Sequence, residues 1–460
     1  MSSAVHPVFL FMGSNVNLTQ HTDELYRQYL TNKEGVSVNF RELIPFLNGV
    51  ERYSHCIHPY PAKLISHIPF FFLNNKKYIQ PGEIVLDPFC GSGTTLLEAN
   101  LSGINAYGAD ANPLARLISR CKTLPVRKEK IKTNLKKILG QVSNLDSVET
   151  LWFKNIDLWF SSRVQTDLSK LYVSINNHSK GKYRDFFLMC FSATLGKTSY
   201  TDPRIAVPVR INVNRYTEGT RGRKNAQELI EKINQINVYE TFEGICLNNL
   251  KRIRSLEDIS RMGTTKIISS DARRLTVNLN SNKRLADESV DMILTSPPYA
   301  SAQKYIRSSS LSLYWLRFLT GKTLVELNNQ NIGRENYCKS DIKIQSVGIK
   351  DADEIVEKIY QKYPLRGRIV CNYLLEMEKA LDESVRVLKK GRYMILVIGN
   401  NNVCGYHFNT KQYFAEYLDT KGMNLELQLI DDIKSYGLMT KRNKTANIIT
   451  REWILVFKKL

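Results

Sequence analysis

Short apolar runs and helix-period stretches alternate along this chain, and the alternation itself predicts its layout. In GEIVLDPF (82–89) an apolar run ends in Asp and Pro; glycines follow, and TTLLEANLSG reads as a helix closing at its glycine. NAYGADANPLARLISR repeats the arrangement, with a short strand ending at Asp110 and a helix opened by Asn-Pro, where Asn caps and Pro occupies the first turn. Two successive units of this kind predict an α/β protein with a doubly wound, mostly parallel sheet. From 121 to 265 the alternation stops. TDLSKLYVSINN, RDFFLMCFSATL and AQELIEKINQINVYETFEGICLNNLKRI carry the period of amphipathic helices, interrupted by the basic, glycine-bearing RINVNRYTEGTRGRK. This segment predicts a largely helical insertion packed beside the sheet. Strand signals resume in KIISSDA (266–272) and SVDMILTS (289–296). CNYLLEMEKALDESVRVLKKG then predicts a helix stopped at Gly391, and RYMILVIGN, LELQLIDDI and EWILVFKKL predict the closing strands. Residues 1–50 show only a short helix around HTDELYRQYL and read as an arm or cap.

At 460 residues the chain exceeds the size at which one core stops growing, and 43% hydrophobic residues are ample for a large elaborated domain or two sharing a cleft. Sixty-five Lys and Arg against 44 Asp and Glu leave a net charge of +21, which favours a polyanionic partner. Eight cysteines without a Cys-x-x-Cys pair suggest neither a zinc ribbon nor a disulfide framework, and no metal-ligand cluster is evident. The N-terminal stretch lacks the basic start of a signal peptide, and nowhere do about 18 consecutive apolar residues occur. These features predict a cytoplasmic protein.

Two places carry chemistry. In DPFCGSGTT (87–95), Gly91 and Gly93 stand between a strand end and a helix start, where absent Cβ atoms let backbone approach a ligand. The turn lacks the Gly-Lys-Ser/Thr ending of a triphosphate loop. Asp110 ends the next strand 23 positions after Asp87, an interval at which a carboxylate reaches the hydroxyls of a ribose. A nucleoside site follows. The second place is Ser296-Pro297-Pro298-Tyr299, directly after the apolar run Met292 to Leu294: two adjacent prolines cannot continue a sheet, and a large aromatic projects from the break.

DPFCGSGTT followed by GADANPLA and later TSPPY resembles the S-adenosylmethionine-dependent amino-methyltransferases of DNA, Rossmann-like enzymes that methylate an exocyclic amine of cytosine or adenine. The resemblance implies S-adenosylmethionine as cofactor, held by Asp87, Pro88, Phe89, Gly91, Gly93, Thr94, Asp110 and Ala111. SHCIHPYPAKL (54–64) is similar to the segment that closes over the methionine end of the cofactor in many members, which adds Tyr60 and Lys63; His58 and His55 in it read as structural or cofactor-shaping. Asp271, in SSDARRL, is implied to face the adenine. Ser296, Pro297, Pro298 and Tyr299 are implied to be catalytic, and Ser296 in first position resembles the cytosine-N4 subgroup, where adenine-N6 enzymes usually carry Asp or Asn. The likeness covers 54–120 and 265–460, so 51–120 is expected to be the cofactor-binding half of the domain and 266–460 its catalytic half. It departs from the pattern at Ala111, where a more apolar residue is common, and in the placing of the large insertion between the second and third strand units.

Methyl transfer explains the diproline. A cytosine amine is a poor nucleophile, so it must be turned and held in line with the methyl group by acceptors aimed at its N–H bonds. The Ser296 hydroxyl and the Pro297 carbonyl are such acceptors, and proline brings no competing donor. Tyr299 offers a face for a base flipped out of the duplex, worth roughly 1 to 3 kcal/mol by analogy with single-strand binding. Asn400, ending the strand MILVIGN, is a further candidate for the base pocket. Double-stranded DNA is the expected partner, with a cognate restriction endonuclease as companion. Insertion 121–265 is a candidate target-recognition region, with Arg215, Arg221, Arg223 and Lys224 as DNA contacts beside Lys441 and Arg442 near the end. Adenine N6 in DNA, guanine N2 in RNA, and a binding protein built on the same fold remain as alternatives.

Overall fold

The computed structural model describes residues 17–47, 53–61, 63–254, 262–300, 304–319, 321, 323–334, 343–432 and 450–460. The strands are β1 (Val36–Ser37), β2 (Ile84–Asp87), β3 (Asn105–Ala109), β4 (Thr265–Ser269), β5 (Val290–Thr295), β6 (Leu388–Ile398), β7 (Asn401–Val403), β8 (Tyr406–Phe408), β9 (Met423–Asp432) and β10 (Arg451–Lys459). Among the described residues eight of them form one sheet in the order β1-β9-β10-β6-β5-β2-β3-β4, and β7 and β8 form a small hairpin. β6, β5, β2, β3 and β4 run parallel, while β10 lies antiparallel between β6 and β9. The expected doubly wound, mostly parallel sheet is present.

Both faces of the sheet are covered, so its central strands are apolar on both sides. Along β6, Ile395 and Val397 point to one core, and Leu396 and Ile398 to the other. The first core is closed by α1 (Leu18–Asn32), α2 (His67–Leu73) and α3 (Thr94–Leu101); α4 (Pro113–Thr123) follows β3. The second is closed by α11 (Lys350–Lys362), α12 (Pro364–Val387) and α13 (Thr410–Asp419). Between β3 and β4 lie α5 (Lys128–Val142), α6 (Ser162–His178), α7 (Gly181–Thr198), α8 (Arg221–Gln235) and α9 (Val238–Arg254), and α10 (Ser310–Trp315) follows the Ser-Pro-Pro-Tyr turn. The insertion is helical as expected. Its apolar faces share one continuous core with Leu97 and Leu101 of α3, Leu117 of α4, and Leu313 and Trp315 of α10.

Three expectations need adjustment. Residues 17–47 do more than cap the fold, because β1 pairs in parallel with β9 and adds an edge to the sheet. The helix expected to stop at Gly391 ends at Val387, and Leu388 already opens β6. Gly391, at φ 72°, sits inside the strand near the point where the ladder to β5 slips between Val290 and Met292. Ladder pairing there overrides the side-chain periodicity of VRVLKK. RINVNRYTEGTRGRK, expected only to interrupt the helices, is itself folded, as described below. No described helix is long and apolar enough to cross a membrane.

His58 ties the segment before the sheet to the insertion. Its Nδ1–H donates to the Pro59 carbonyl (2.8 Å), which leaves Nε2 to accept from the Ser192 hydroxyl of α7 (3.0 Å); Ser192 accepts in turn from Ser312 of α10 (2.8 Å). Burial, with Lys63 nearby, lowers the imidazole to about 3, so it stays neutral. The unfolded chain takes up this proton near pH 6.5 and the folded chain only near pH 3, so acidification across that interval favours unfolding. His58→Gln is expected to flatten the loss of stability between those pH values. Urea midpoints measured across the range check this, and parallel slopes for the two proteins would contradict it.

Candidate active site

Chain order reverses between β2 and β5: β3 and β4 extend the sheet one way from β2, and β6 extends it the other way from β5. A crevice opens at the carboxyl ends of strands at such a switch point. Here those ends are bonded to one another. Thr295, the last residue of β5, donates its hydroxyl to Asp87 Oδ1, at the end of β2, at 2.6 Å, and the Phe89 N–H donates to the same oxygen at 3.1 Å. Burial pushes the Asp87 carboxyl up to about 6 against these bonds.

The glycine turn follows. Gly91 and Gly93 have φ of 48° and 77°, and a Cβ on Gly93 would stand 3.0 Å from the Ser119 backbone of α4. The backbone angle favours glycine at both positions, and at Gly93 the space requires it as well. The Ser119 hydroxyl donates to the Gly91 carbonyl (2.8 Å), and the Gly91 N–H donates to Asp110 Oδ2 (2.9 Å). Asp110 Oδ1 accepts from the Asn112 N–H (2.8 Å), while Arg116 Nη1 donates to the carbonyls of Asp110 (2.6 Å) and Ala111 (3.0 Å). Burial raises the Asp110 carboxyl, and the two N–H groups and Arg116 oppose it. Asn112 caps α4 as its Asn-Pro sequence predicts, accepting from the Leu114 N–H (3.0 Å). Its amide also donates to the Tyr60 hydroxyl (3.2 Å) and to Ser309 (2.9 Å), which joins three distant segments behind the pocket.

One cavity gathers most of the candidate residues. Tyr60, Pro88, Phe89 and Gly91 line it together with Asp110, Ala111 and Asp271, and Ser296 and Pro298 form its opposite wall. Asp87 lies beneath, tying the strand ends, and Gly93 and Thr94 begin α3 with Thr94 buried. Lys63 is spent elsewhere: its ammonium donates to the carbonyls of His58 (2.8 Å) and His55 (3.4 Å) and so braces its own segment. His55 Nε2 is 2.7 Å from the buried carboxylate of Glu98. The Arg273 side chain grips Asp271 through two bonds of 2.8 and 3.0 Å and also donates to the Gln330 carbonyl (3.0 Å). Ala272, Tyr305, Gln330, Asn331 and Ile332 complete the lining. Sequence reading missed these five. The polar stretch around 330 has no periodicity, and only the fold brings it to the strand ends.

The Ser-Pro-Pro-Tyr turn is braced on each side. Tyr373, fully buried on α12, donates its hydroxyl to the Pro298 carbonyl (2.9 Å), and Asn401 donates to the Ala300 carbonyl (2.6 Å). Among the described residues none donates to the Pro297 carbonyl. Tyr299 is half-buried, and its hydroxyl donates to Glu452 Oε1 at 2.8 Å. Asn400 turns away, with its amide donating to Asn409 (2.7 Å) and its oxygen accepting from the Lys411 N–H (3.0 Å).

The basic candidates lie apart on the insertion. Arg221, Arg223 and Lys224 occupy the first turn of α8, capped by Thr220, and exposed Arg215 ends a short 3-10 turn. The stretch is folded because Tyr216 lies on Gly222, where a Cβ would meet its ring at 2.6 Å, and joins Ile211, Ala226 and Ile233 in a small core. The Tyr216 hydroxyl accepts from Arg204 (2.7 Å). Lys441 and Arg442 lie outside the described residues.

The lining fits S-adenosylmethionine. Asp110 and Asp271 present carboxylate acceptors, Phe89 and Ile332 present apolar surface, and a Cβ on Gly91 would project toward the Tyr60 ring (3.8 Å) into the space between. When bound, this cofactor supplies an electrophilic methyl group on a cationic sulfur. Comparison with known proteins agrees with the geometry. A family model described as DNA methylase, covering N6- and N4-methylating enzymes, matches residues 56–119. The type II methyltransferase M.MvaI of Kocuria varians is 27% identical over 94% of this chain and 97% of its own length. M.MjaII of Methanocaldococcus jannaschii is 30% identical over 34% of this chain and 31% of its own, and M.BsoBI of Geobacillus stearothermophilus 26% over 58% and 53%. With a glycine turn, two strand-end acids, and Ser296 and Pro298 of the Ser-Pro-Pro-Tyr turn around one cavity, the chain belongs to the S-adenosylmethionine-dependent amino-methyltransferase family of DNA.

Proposed function

We propose that the protein is a type II DNA methyltransferase that moves the methyl group to the exocyclic N4 amine of a flipped-out cytosine, acting on double-stranded DNA in the cytoplasm beside a cognate restriction endonuclease. The observation that carries the reading is the turn after β5: Ser296 faces the cofactor cavity, and the Pro297 carbonyl beside it is left as an acceptor by every described donor. Two acceptors aimed at one amine hold its lone pair toward the methyl group, which is chiefly an orientation effect. A hydroxyl at the first position, where a carboxylate or amide would suit adenine, favours cytosine. The type II names of the relatives support DNA as substrate and a nuclease as companion.

The insertion is assigned to target recognition, between a cofactor half at 51–120 and a catalytic half at 266–460, with 1–50 as an arm. Arg215 and the first turn of α8 supply cations for phosphate contact, and the charge of +21 supplies the general attraction.

Nucleosides digested from unmethylated DNA after incubation with protein and S-adenosylmethionine are expected to contain N4-methylcytosine by mass spectrometry. N6-methyladenine would overturn the choice of base, and no methylated base would turn the search to RNA or to binding alone. Asp110→Ala is expected to weaken cofactor binding by about tenfold or more, the worth of a charged hydrogen bond. Ser296→Ala should leave that binding intact and remove turnover; equal cofactor loss in both, measured by calorimetry, would contradict the assigned roles.

Replacing Arg221, Arg223 and Lys224 by Ala is expected to weaken DNA binding and to make its salt dependence shallower by roughly 0.9 in log-log slope per lost phosphate contact. Fluorescence anisotropy across a salt series measures both, and unchanged affinity throughout would remove α8 from the interface.

A further inference from the structure

Glu452 has no part in the motifs of this family quoted above, yet it reaches the catalytic turn from 153 residues away. β10 runs antiparallel to β6, so its first residues arrive at the rim where β2, β5 and β6 end: Trp453 stands opposite Ile398 on one side and Ile430 on the other. Glu452 shares a strand face with Ile454 and Val456, which belong to the core beneath α2 and α3. Tyr299 packs its ring against the other core, beneath α12. The bond from its hydroxyl to Glu452 Oε1 at 2.8 Å therefore carries the ring across the rim of the sheet. Burial raises the Glu452 carboxyl, while the Tyr299 hydroxyl and the positive charge of Arg41 favour its ionised form.

We propose that Glu452 is a positioning residue for the extruded base: by accepting from the Tyr299 hydroxyl it fixes the plane of the ring against which that base stacks. A tyrosine directly after two prolines has a rigid backbone but rotatable χ1 and χ2, and a ring free to turn loses stacking in proportion to the time it spends misaligned. The tether removes that freedom before DNA arrives, which lowers the cost of ordering at the moment of binding. It also commits the phenolic proton to Glu452, so that Tyr299 has no proton to donate to Ser296 and the Ser296 lone pairs are left for the amine. The inference rests on the proposed reaction.

Its test is steady-state methyl transfer from labelled S-adenosylmethionine to unmethylated genomic DNA by wild type, Glu452→Gln, Glu452→Ala, Tyr299→Phe and the Glu452→Ala/Tyr299→Phe double variant, with cofactor affinity measured by calorimetry. Glu452→Ala is expected to lower kcat/KM for DNA by about tenfold with cofactor affinity unchanged, and Glu452→Gln, which keeps an acceptor oxygen, should recover most of the loss. In the Tyr299→Phe background Glu452→Ala should add less than about twofold, because the interaction is already absent. A Glu452→Ala protein within about twofold of wild type, or an equal loss in the Tyr299→Phe background, overturns the tether. Parallel loss of cofactor affinity also overturns it, in favour of a role in folding alone. A wild type that transfers nothing to DNA overturns the underlying reaction, whereas an active wild type with an indifferent Glu452→Ala overturns the tether alone.

Discussion

The site depends on one hydrogen bond, from the Thr295 hydroxyl to the Asp87 carboxylate. These residues end neighbouring parallel strands that are 208 positions apart in the chain, and each is followed at once by one of the candidate stretches, the glycine turn after Asp87 and Ser296 after Thr295. Burying an acid there has an electrostatic cost, seen in the raised Asp87 carboxyl, and the hydroxyl and the Phe89 N–H offset part of it. What is gained is a fixed offset between the glycine turn and the Ser-Pro-Pro-Tyr turn, which otherwise share no covalent neighbourhood. Positioning within fractions of an ångström is what an in-line methyl displacement on an amine requires, since the loss of the amine proton is the lesser part of its barrier.

Charge is divided within the molecule. The chain as a whole carries +21, but the cavity gathers Asp110 and Asp271 over a buried Asp87. The net positive charge suits a polyanion, whereas the carboxylates of the cavity, one of them shared with Arg273, suit a cationic cofactor.

Much of this was legible in sequence because it rests on local rules. Gly91 and Gly93, the cap at Asn112 with Pro113 behind it, the strand ends at Asp87 and Asp110, and the diproline break each follow from backbone chemistry within a few residues. What escaped is what the sheet assembles from afar. Tyr373 on the Pro298 carbonyl, Asn401 on Ala300 and the wall around Gln330 leave no mark in composition or period. Lys63 illustrates the opposite error: a cation near the cofactor segment suggested a ligand contact, but carbonyls within its own turn were closer. The stretch around Tyr216 read as loop because its core is too small to impose a period, although Gly222 was the signal that a ring lay on the backbone.

The single core shared by the insertion with α3, α4 and α10 has a consequence for how such a protein can change. A recognition module joined by a linker can be exchanged whole, since its removal exposes nothing. Here, cutting out the insertion would strip Leu97, Leu101 and Leu117 of their cover and free the Ser192 end of the chain of bonds through His58, next to the cofactor segment. Divergence in what the insertion contacts is thereby confined to its outer faces, and the inner faces must drift in step with the fold that makes the cofactor site.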